Sequence, residues 1–229
     1  MKILLLPGLD GTGELFEKFL KLLPTTLPTY VCQLPAEGEQ RPISLAASIV
    51  AKGLLTEDVL IIAESFSGRV AYELIQLHGH TIKGLILVSS FLTVPNLLFR
   101  VFSWLPIRFF PWHWSPAWAL RWFCVGSDAS DELIPKLQQT IRNVPTYTIA
   151  ERIKVLSELS VPLEEIRIPC LYLQPTHDRL ITESHVERIR KLCHDLSVEV
   201  VPGPHFLLQA KPEACVASMV AFMGLITKN

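Results

Sequence analysis

Six short apolar segments alternate with stretches of helical periodicity along this 229-residue chain. The apolar segments are nearly continuous, which is typical of parallel strands that are covered on both faces. They are Ile3–Leu6, Tyr30–Leu34, Val59–Ala63, Gly84–Ser89, Cys170–Gln174 and Val198–Val201. The helical stretches are Phe16–Leu23, Leu45–Leu54, Ser67–His78, Ser184–Cys193 and Pro212–Ile226. This alternation predicts an α/β fold with a mostly parallel, doubly wound sheet of about six strands.

The alternation stops between residues 92 and 158, a segment that contains all five tryptophans. Prolines and arginines interrupt it, so it cannot form the run of about 20 apolar residues that a transmembrane helix needs. We predict a helical, Trp-rich lid inserted after the fourth strand, with residues 1–91 and 159–229 forming the core. Aromatic side chains often line ligand sites, although here they could instead build a second small core. The predicted pocket residues are Trp104, Trp112, His113, Trp114, Trp118 and Trp122.

Composition excludes several classes of protein. Hydrophobic residues make up 49% of the chain and charged residues 19%, which is unlike a disordered protein. The formal net charge is −1, so a nucleic-acid partner is not expected. Five dispersed cysteines indicate free thiols in a reducing compartment, which predicts a cytoplasmic protein. Composition leaves open whether the chain is a monomer or a dimer.

A serine follows the third predicted strand, in the run Ala63-Glu64-Ser65-Phe66-Ser67-Gly68. This strand–serine–helix pattern is typical of a nucleophile elbow, a tight turn that needs small residues two positions before and after the nucleophile. Ala63 and Ser67 meet that requirement for Ser65. If Ser67 were the nucleophile, Arg69 would occupy a position that requires a small side chain. The alternative interpretation is an ordinary turn in which a serine caps the helix.

An acid and a histidine follow two later strands. Asp178 comes just after the fifth strand and could orient a histidine, although it could equally be a turn or capping residue. His205 follows the sixth strand and the turn Pro202-Gly203-Pro204, and could otherwise be a simple loop residue. The chain order Ser65, Asp178, His205 is that of an α/β-hydrolase triad. Because parallel strands end at one edge of the sheet, we expect these three residues to meet there.

The first strand leads into a glycine-rich loop, Pro7-Gly8-Leu9-Asp10-Gly11-Thr12-Gly13. Glycines allow backbone N–H groups to approach a ligand closely, and acyl transfer requires two such donors for the oxyanion. We assign these donors to the backbone N–H groups of Leu9 and Phe66. A phosphate-binding loop is the competing interpretation, but the loop lacks the required glycine spacing and the Lys-Ser/Thr pair. Asp10 is expected to form the turn, with contact to substrate as its alternative role.

The glycine-rich loop and the elbow, with Thr176-His177-Asp178 and Gly203-Pro204-His205-Phe206, resemble the α/β-hydrolase superfamily over essentially the whole chain. The loop and the elbow are similar to those of compact bacterial carboxylesterases, of thioesterase-like members and of plant ester synthases. The resemblance implies the α/β-hydrolase fold, a helical lid after the fourth strand and a serine mechanism without a cofactor. The chain departs from many members in having Pro7-Gly8 rather than His-Gly, and Ala63 rather than glycine.

Together these features predict a serine hydrolase that cleaves small carboxylic esters with apolar acyl or aromatic groups. A thioesterase or acyltransferase with the same triad is the alternative among enzymes. Outside enzymes, the alternatives are a non-catalytic ligand-binding member of the fold and a lipid-surface protein anchored through the residues from Trp104 to Trp122. No cofactor, metal ion or integral membrane segment is expected.

Overall fold

The computed structural model describes residues 1–95, 115–126, 130, 132–182 and 184–227. Within these ranges, six parallel strands form one sheet in the order β2-β1-β3-β4-β5-β6. They are β1 Lys2–Leu6, β2 Thr29–Val31, β3 Val59–Glu64, β4 Ile82–Val88, β5 Cys170–Pro175 and β6 Leu196–Val201. The predicted doubly wound parallel sheet is therefore confirmed. The largest difference is at the edge strand β2, which ends at Val31, whereas the sequence predicted a strand as far as Leu34.

Helices connect the strands and cover both faces of the sheet. A 3-10 turn, Glu14–Phe16, precedes the first helix. The helices are α1 Glu17–Leu22, α2 Pro42–Ala51, α3 Ser67–His78, α4 Ala117–Leu120, α5 Leu133–Asn143, α6 Thr146–Ser157, α7 Ser184–Leu192, α8 Leu207–Ala210 and α9 Pro212–Ile226. Helix α4 continues directly into a π-helical turn, Arg121–Val125. In the described ranges, no helix is both long and apolar enough to cross a membrane.

Strand β1 shows why the apolar segments are continuous. Successive side chains of a strand point to opposite faces of the sheet. Leu4 and Leu6 pack into a core with helices α2, α3 and α7, whereas Ile3 and Leu5 pack into a second core with α1 and α9. Since both faces are covered, every position of the strand is buried. All of its residues are apolar except Lys2, whose ammonium pairs with Glu57 at 3.1 Å.

The strand order reverses at β1, which has β2 on one side and β3 on the other. Chains that leave neighbouring strands in opposite directions open a crevice beyond the carboxyl ends of those strands. The loop Pro7–Gly13 follows β1 and Ser65 follows β3, so both lie at this switch point. The topology thereby places two of the predicted motifs side by side.

The described part of the segment between β4 and β5 is helical, and we call residues 115–126 and 132–157 the cap. Its apolar side chains, including Leu120, Val125 and Leu137, form a separate cluster that contains Leu15 and is packed by Phe206. The cap therefore rests on the connection after β1 and on the residue that follows His205. The predicted lid boundaries at residues 92 and 158 stay a prediction.

Candidate active site

Ser65 occupies the sharp turn between β3 and α3. Its φ angle is 49°, a left-handed conformation that is uncommon for any residue with a side chain. The Ser65 N–H donates to the carbonyl of Val88 at 3.0 Å, and the Ser65 carbonyl accepts from the N–H of Gly68 at 3.1 Å. Such a strained position persists only where the surroundings enforce it, and it is typical of functional sites.

Ser67, the rival nucleophile, is buried within the elbow. Its Oγ donates a hydrogen bond to the backbone carbonyl of Pro7 and is completely shielded from solvent. That bond joins the elbow to the loop after β1. Ser67 therefore has a structural role, and Ser65 is the serine that faces the cavity.

Three predicted side chains form one hydrogen-bonded array. The Oγ of Ser65 lies 3.0 Å from Nε2 of His205, and Nδ1 of His205 lies 2.8 Å from Oδ2 of Asp178. Because an ionised carboxylate only accepts hydrogen bonds, Nδ1 carries the proton and donates to Asp178. Nε2 is then the acceptor for the Ser65 hydroxyl, which is the arrangement that a general base requires.

Asp178 is held in place by its own turn. Its Oδ1 accepts the backbone N–H groups of Leu180 at 2.8 Å and Ile181 at 2.9 Å, which leaves Oδ2 directed at His205. The turn contacts and the contact with His205, which the sequence left as alternatives, are therefore made by different oxygens of the same carboxylate.

The electrostatic surroundings of His205 favour its charged form. Burial lowers the pKa of this imidazole, but the charge and hydrogen bond of Asp178 outweigh it. The pKa of His205 is therefore raised above its ordinary value of 6.5. An imidazolium that forms when a proton leaves Ser65 is stabilised by the same carboxylate.

Two residues that the sequence did not single out, Ser90 and Tyr172, stabilise the elbow through hydrogen bonds. Ser90 Oγ donates to the carbonyl of Ser65 at 2.7 Å, and the hydroxyl of Tyr172 donates to the carbonyl of Ser90 at 3.0 Å. Burial raises the pKa of Tyr172, so its hydroxyl remains a donor over the ordinary pH range. Their positions just after β4 and within β5 carry no recognisable motif, so only the fold identifies them.

The loop after β1 lies beside Ser65, and Gly8 and Leu9 line the same cavity as the serine. Within the described part of the chain, neither the Leu9 N–H nor the Phe66 N–H donates to a protein acceptor. Asp10 has the expected turn role, since its Oδ2 accepts the N–H and hydroxyl of Thr12 at 2.8 and 2.6 Å. Two free N–H donors next to the serine are what oxyanion stabilisation requires.

A cavity of about 220 Å³ opens above Ser65. Side chains from the core and from the cap enclose it, and most of them are apolar. Those from the cap are aliphatic or small: Ser115, Leu120, Cys124, Leu137, Ile141, Ile149 and Leu156. No Lys or Arg side chain is among the described residues that line it. The cavity therefore suits an uncharged, apolar group.

The tryptophans do not line this cavity in the described residues. Trp118 and Trp122 are 71% and 57% exposed, and neither contributes to the lining, so the expectation that they face substrate is corrected. The reason is helical geometry. Leu120 lies two residues from both Trp118 and Trp122, and Cys124 lies two residues from Trp122. A step of two residues rotates the side chain by about 200° around the helix axis, so the tryptophans lie on the face opposite to the residues that line the cavity. Trp104, Trp112, His113 and Trp114 lie outside the described residues.

Trp122 and its neighbours instead join the cap to the loops of the triad. The guanidinium of Arg179 lies 3.5 Å from the centre of the Trp122 ring, and its Nη1 donates to the Trp122 carbonyl at 2.9 Å. The Phe206 N–H donates to the carbonyl of Cys124 at 2.9 Å. Arg179 follows Asp178 and Phe206 follows His205, so one turn of the cap contacts both loops.

Glu64 places a second carboxyl group beside the triad. It is buried and lines the cavity, and its Oε2 accepts from Nε2 of Gln209 at 3.3 Å. Burial, with the nearby charge of Asp10, raises the pKa of Glu64 to about 8. Among the described residues, Oε1 of Glu64 and Oε1 of Gln209 have no hydrogen-bond partner. With its pKa raised in this way, Glu64 carries a proton at neutral pH.

Comparison with known families and structures decides the class of the protein. A model of the alpha/beta hydrolase family matches residues 3–218. The chain belongs to the alpha/beta hydrolase family. The resemblance seen in the sequence motifs is thereby confirmed. Ser65, Asp178 and His205 follow β3, β5 and β6 in the chain.

Solved structures of other alpha/beta hydrolases share the fold at low sequence identity. A thermophilic esterase from Thermogutta terrifontis has a TM-score of 0.81 and 17% identity, over 99% of this chain and 90% of that one. A hydrolase from Oleispira antarctica has a TM-score of 0.77 and 15% identity, over 100% and 91% of the two chains. The RedJ thioesterase from Streptomyces coelicolor has a TM-score of 0.71 and 16% identity, over 97% and 90%. Curated protein sequences include no match to this chain.

Proposed function

We propose that this alpha/beta hydrolase is a serine esterase that cleaves carboxylic esters through an acyl-enzyme intermediate. One observation carries the proposal: the hydrogen-bonded array of Ser65, His205 and Asp178 opens onto an apolar cavity. The base lies within hydrogen-bonding distance of both the nucleophile and the orienting acid, which is the geometry that covalent acyl transfer uses.

The reaction begins when the Oγ of Ser65 attacks the ester carbonyl and His205 Nε2 takes the hydroxyl proton. Asp178 stabilises the resulting imidazolium, and the N–H groups of Leu9 and Phe66 donate to the negative oxygen of the tetrahedral intermediate. His205 then gives its proton to the leaving alcohol, so that the acyl group remains on Ser65. A water molecule, deprotonated by His205, attacks this acyl-enzyme. The bond between the acyl carbon and the Ser65 Oγ then breaks, His205 returns the proton to that oxygen, and the carboxylic acid is released.

The cavity favours apolar acyl groups on physical grounds. Its walls are formed by side chains such as Phe66, Phe91, Leu137 and Ile141, and burying apolar area contributes about 25 cal/mol per Å². A negatively charged acyl group would instead lose its hydration beside Asp10 and Glu64, without a cation among the described lining residues. Neutral, apolar acyl groups are the class that this site accommodates at least cost.

A panel of chromogenic esters of graded acyl length, measured beside matched thioesters, tests the proposal. We expect ester turnover that increases from acetate towards medium-length chains, and fluorophosphonate labelling at Ser65 that peptide mapping can locate. Consistently faster turnover of thioesters would identify a thioesterase instead. Absence of both turnover and labelling would support a non-catalytic ligand-binding protein.

A further inference from the structure

Arg152 is a completely buried cation in the cap helix α6. Its exposure is 0%, and its guanidinium donates three hydrogen bonds. Nη1 donates to the carbonyl of Leu9 at 2.7 Å, Nη2 to the carbonyl of Pro35 at 2.9 Å, and Nε to Oε1 of Gln40 at 2.9 Å. Burying a charge is costly unless it is fully hydrogen-bonded, so this arrangement is specific rather than incidental.

All three acceptors lie at the carboxyl edge of the sheet rather than in the helix that carries Arg152. Leu9 belongs to the loop after β1, and Pro35 and Gln40 belong to the connection between β2 and α2. The guanidinium also lies 6.0 Å from the centre of the Phe66 ring. It therefore contacts both residues whose N–H groups are proposed to hold the oxyanion.

The loop itself is shaped to receive this side chain. Gly11 has a φ of 74°, and a Cβ atom added there would overlap Nη1 of Arg152. Any larger residue at position 11 would displace the guanidinium. The loop backbone and the arginine are therefore mutually fitted, although they come from segments 141 residues apart in the chain (152 − 11).

Arg152 keeps its charge at neutral pH. Burial lowers its pKa to about 10, against the opposing effect of the nearby Asp10. A guanidinium that is protonated below that value retains all three donated bonds under ordinary assay conditions. Its positive charge also lies behind the loop that faces the developing negative oxygen.

We infer that Arg152 is a positioning residue, through which the cap holds the loop Pro7–Gly13 so that the Leu9 N–H points at the oxyanion. This inference rests on the proposed esterase function, and it gives the cap a role beyond covering the cavity. Oxyanion donors act only when they lie about 2.7–3.1 Å from the negative oxygen, so a small shift of this loop weakens them.

Arg69 is a matched control within the same chain. It is also a buried arginine, and it donates to the carbonyls of Leu92 and Ser160 at 2.9 and 2.6 Å and pairs with Glu73 at 2.9 Å. These partners lie at the base of the segment between β4 and β5 and in α3, away from the loop after β1. Replacing Arg69 therefore also removes the hydrogen bonds of a buried guanidinium, but it leaves the hydrogen bond between Arg152 and the Leu9 carbonyl in place.

The first experiment compares the variants Arg152→Gln, Arg152→Lys and Arg69→Gln. We expect Arg152→Gln to lower kcat by about 10- to 100-fold, part of the 10²–10³-fold that one oxyanion donor supplies, with KM changed much less. Arg152→Lys keeps the positive charge and can still donate one of the three hydrogen bonds, so its kcat should lie between those of Arg152→Gln and the wild type. A trifluoromethyl ketone, which mimics the tetrahedral intermediate, should lose affinity in parallel with kcat.

Hydrogen exchange of the backbone amides of residues 8–13 provides a readout that is independent of turnover. Faster exchange in Arg152→Gln but not in Arg69→Gln would support the inference. It would be overturned if Arg69→Gln lowered kcat equally, or if Arg152→Gln left kcat and loop exchange unchanged. If the wild-type protein cleaves no ester and is not labelled by a fluorophosphonate, the proposed function fails. If hydrogen exchange of residues 8–13 is unchanged in Arg152→Gln, the positioning role of Arg152 is refuted.

A second pair of variants approaches the same contact from the loop. Gly11→Ala should displace the guanidinium and lower kcat as Arg152→Gln does. Gly53→Ala is its control, because Gly53 also has a positive φ, 66°, but nothing lies within 4 Å of an added Cβ. Equal losses of kcat in both glycine variants would show that backbone strain alone is responsible, and would contradict the inference.

Discussion

The Oγ of Ser65 lies 3.0 Å from Nε2 of His205, although 140 residues separate the two in the chain. Each residue follows a strand, and the two strands lie in one parallel sheet in which β4 and β5 stand between them. Their side chains meet because the loops after β3 and β6 both emerge at the carboxyl edge.

Replacement of Ser65 by alanine should abolish ester turnover, with a fall in kcat of about 10⁶-fold, because the attacking oxygen is lost. Folding should be preserved, as judged by the thermal unfolding midpoint. Ser67→Ala is the comparison, since it removes only the buried bond to Pro7. That variant should lose stability by about 1–3 kcal/mol and retain labelling at Ser65. Probe labelling that moves to Ser67 would refute the assignment of the nucleophile.

Asp178→Asn should lower kcat by up to about 10⁴-fold. The amide can donate to Nδ1 of His205, which would favour the tautomer that places the proton on Nε2 and blocks acceptance from Ser65. The imidazolium would also lose its charged partner. Asp195→Asn is a suitable control, because Asp195 lies at the opposite end of the sheet, where its carbonyl accepts the N–H of Cys170. An equal loss of activity in that control would argue against Asp178 as the orienting acid.

The acid limb of the pH profile should report on His205. Only the neutral imidazole can accept a proton from Ser65, so kcat/KM is high above the pKa of His205 and falls as the pH drops through it. Because that pKa is raised, the midpoint should lie above the ordinary 6.5. Asp178→Asn removes the interactions that raise it, so the residual activity of that variant should show a midpoint at lower pH. A wild-type midpoint below 6.5 would contradict this description of the site.

Glu64 should make the protein less stable at alkaline pH. Its pKa is raised from 4.5 to about 8, so the native state keeps a proton that the unfolded chain releases. The stabilising effect is complete below pH 4.5, declines as the pH rises and is lost above about 8. Relative to wild type, Glu64→Gln should therefore gain stability between pH 5 and pH 9. For a chain of this size, each kcal/mol corresponds to about 2–4 °C in Tm.

The control for Glu64 is Glu165→Gln, which removes an exposed carboxylate whose side chain is 57% accessible. Its Tm difference from wild type should stay nearly constant over the same pH range. If Glu64→Gln behaves in the same way, Glu64 does not hold a proton in the folded protein at neutral pH.

Aliphatic residues of the cap should set the preferred acyl length. Leu137→Trp would fill part of the cavity and should reduce kcat/KM for medium-length acyl esters by about 10- to 100-fold, while acetate esters change less. Trp118→Ala, at an exposed position outside the cavity, should alter neither. If Trp118→Ala changed kcat/KM for medium-length acyl esters more than Leu137→Trp did, the tryptophans would have to be regarded as pocket residues after all.

Local sequence patterns were sufficient to predict the strands and the positions of the candidate site residues along the chain. The strands are continuous apolar segments because both faces of the sheet are buried, and that requirement is visible in the sequence of β1 or β3 alone. Ser65, Asp178 and His205 could be identified because each stands beside a strand end. Edge strands were less well defined: the first four residues of β6 alternate between half-buried and exposed positions, and the strand ends with exposed Val200 and buried Val201.

The cap shows where such patterns fail. The density of tryptophans led to the prediction of a lid over this segment, but density contains no information about which helical face a residue occupies. Trp118 and Trp122 face outwards while Leu120 and Cys124 line the cavity, since the orientation of α4 is decided by packing against Leu15 and Phe206. Those contacts join segments that are far apart in the chain.

The amino-acid sequence by itself determined the parallel α/β sheet, the turn at Ser65 and the chain order of the three site residues. Each of them can be read from the continuous apolar sequence of a strand or from the residues that follow a strand end. Tertiary structure alone decided that Glu64 is buried beside Gln209, that Ser90 supports the elbow, and that Arg152 reaches Leu9, 143 residues away. The physical reason is that burial and hydrogen-bond satisfaction are properties of the assembled surroundings, so a side chain acquires them only when distant segments meet.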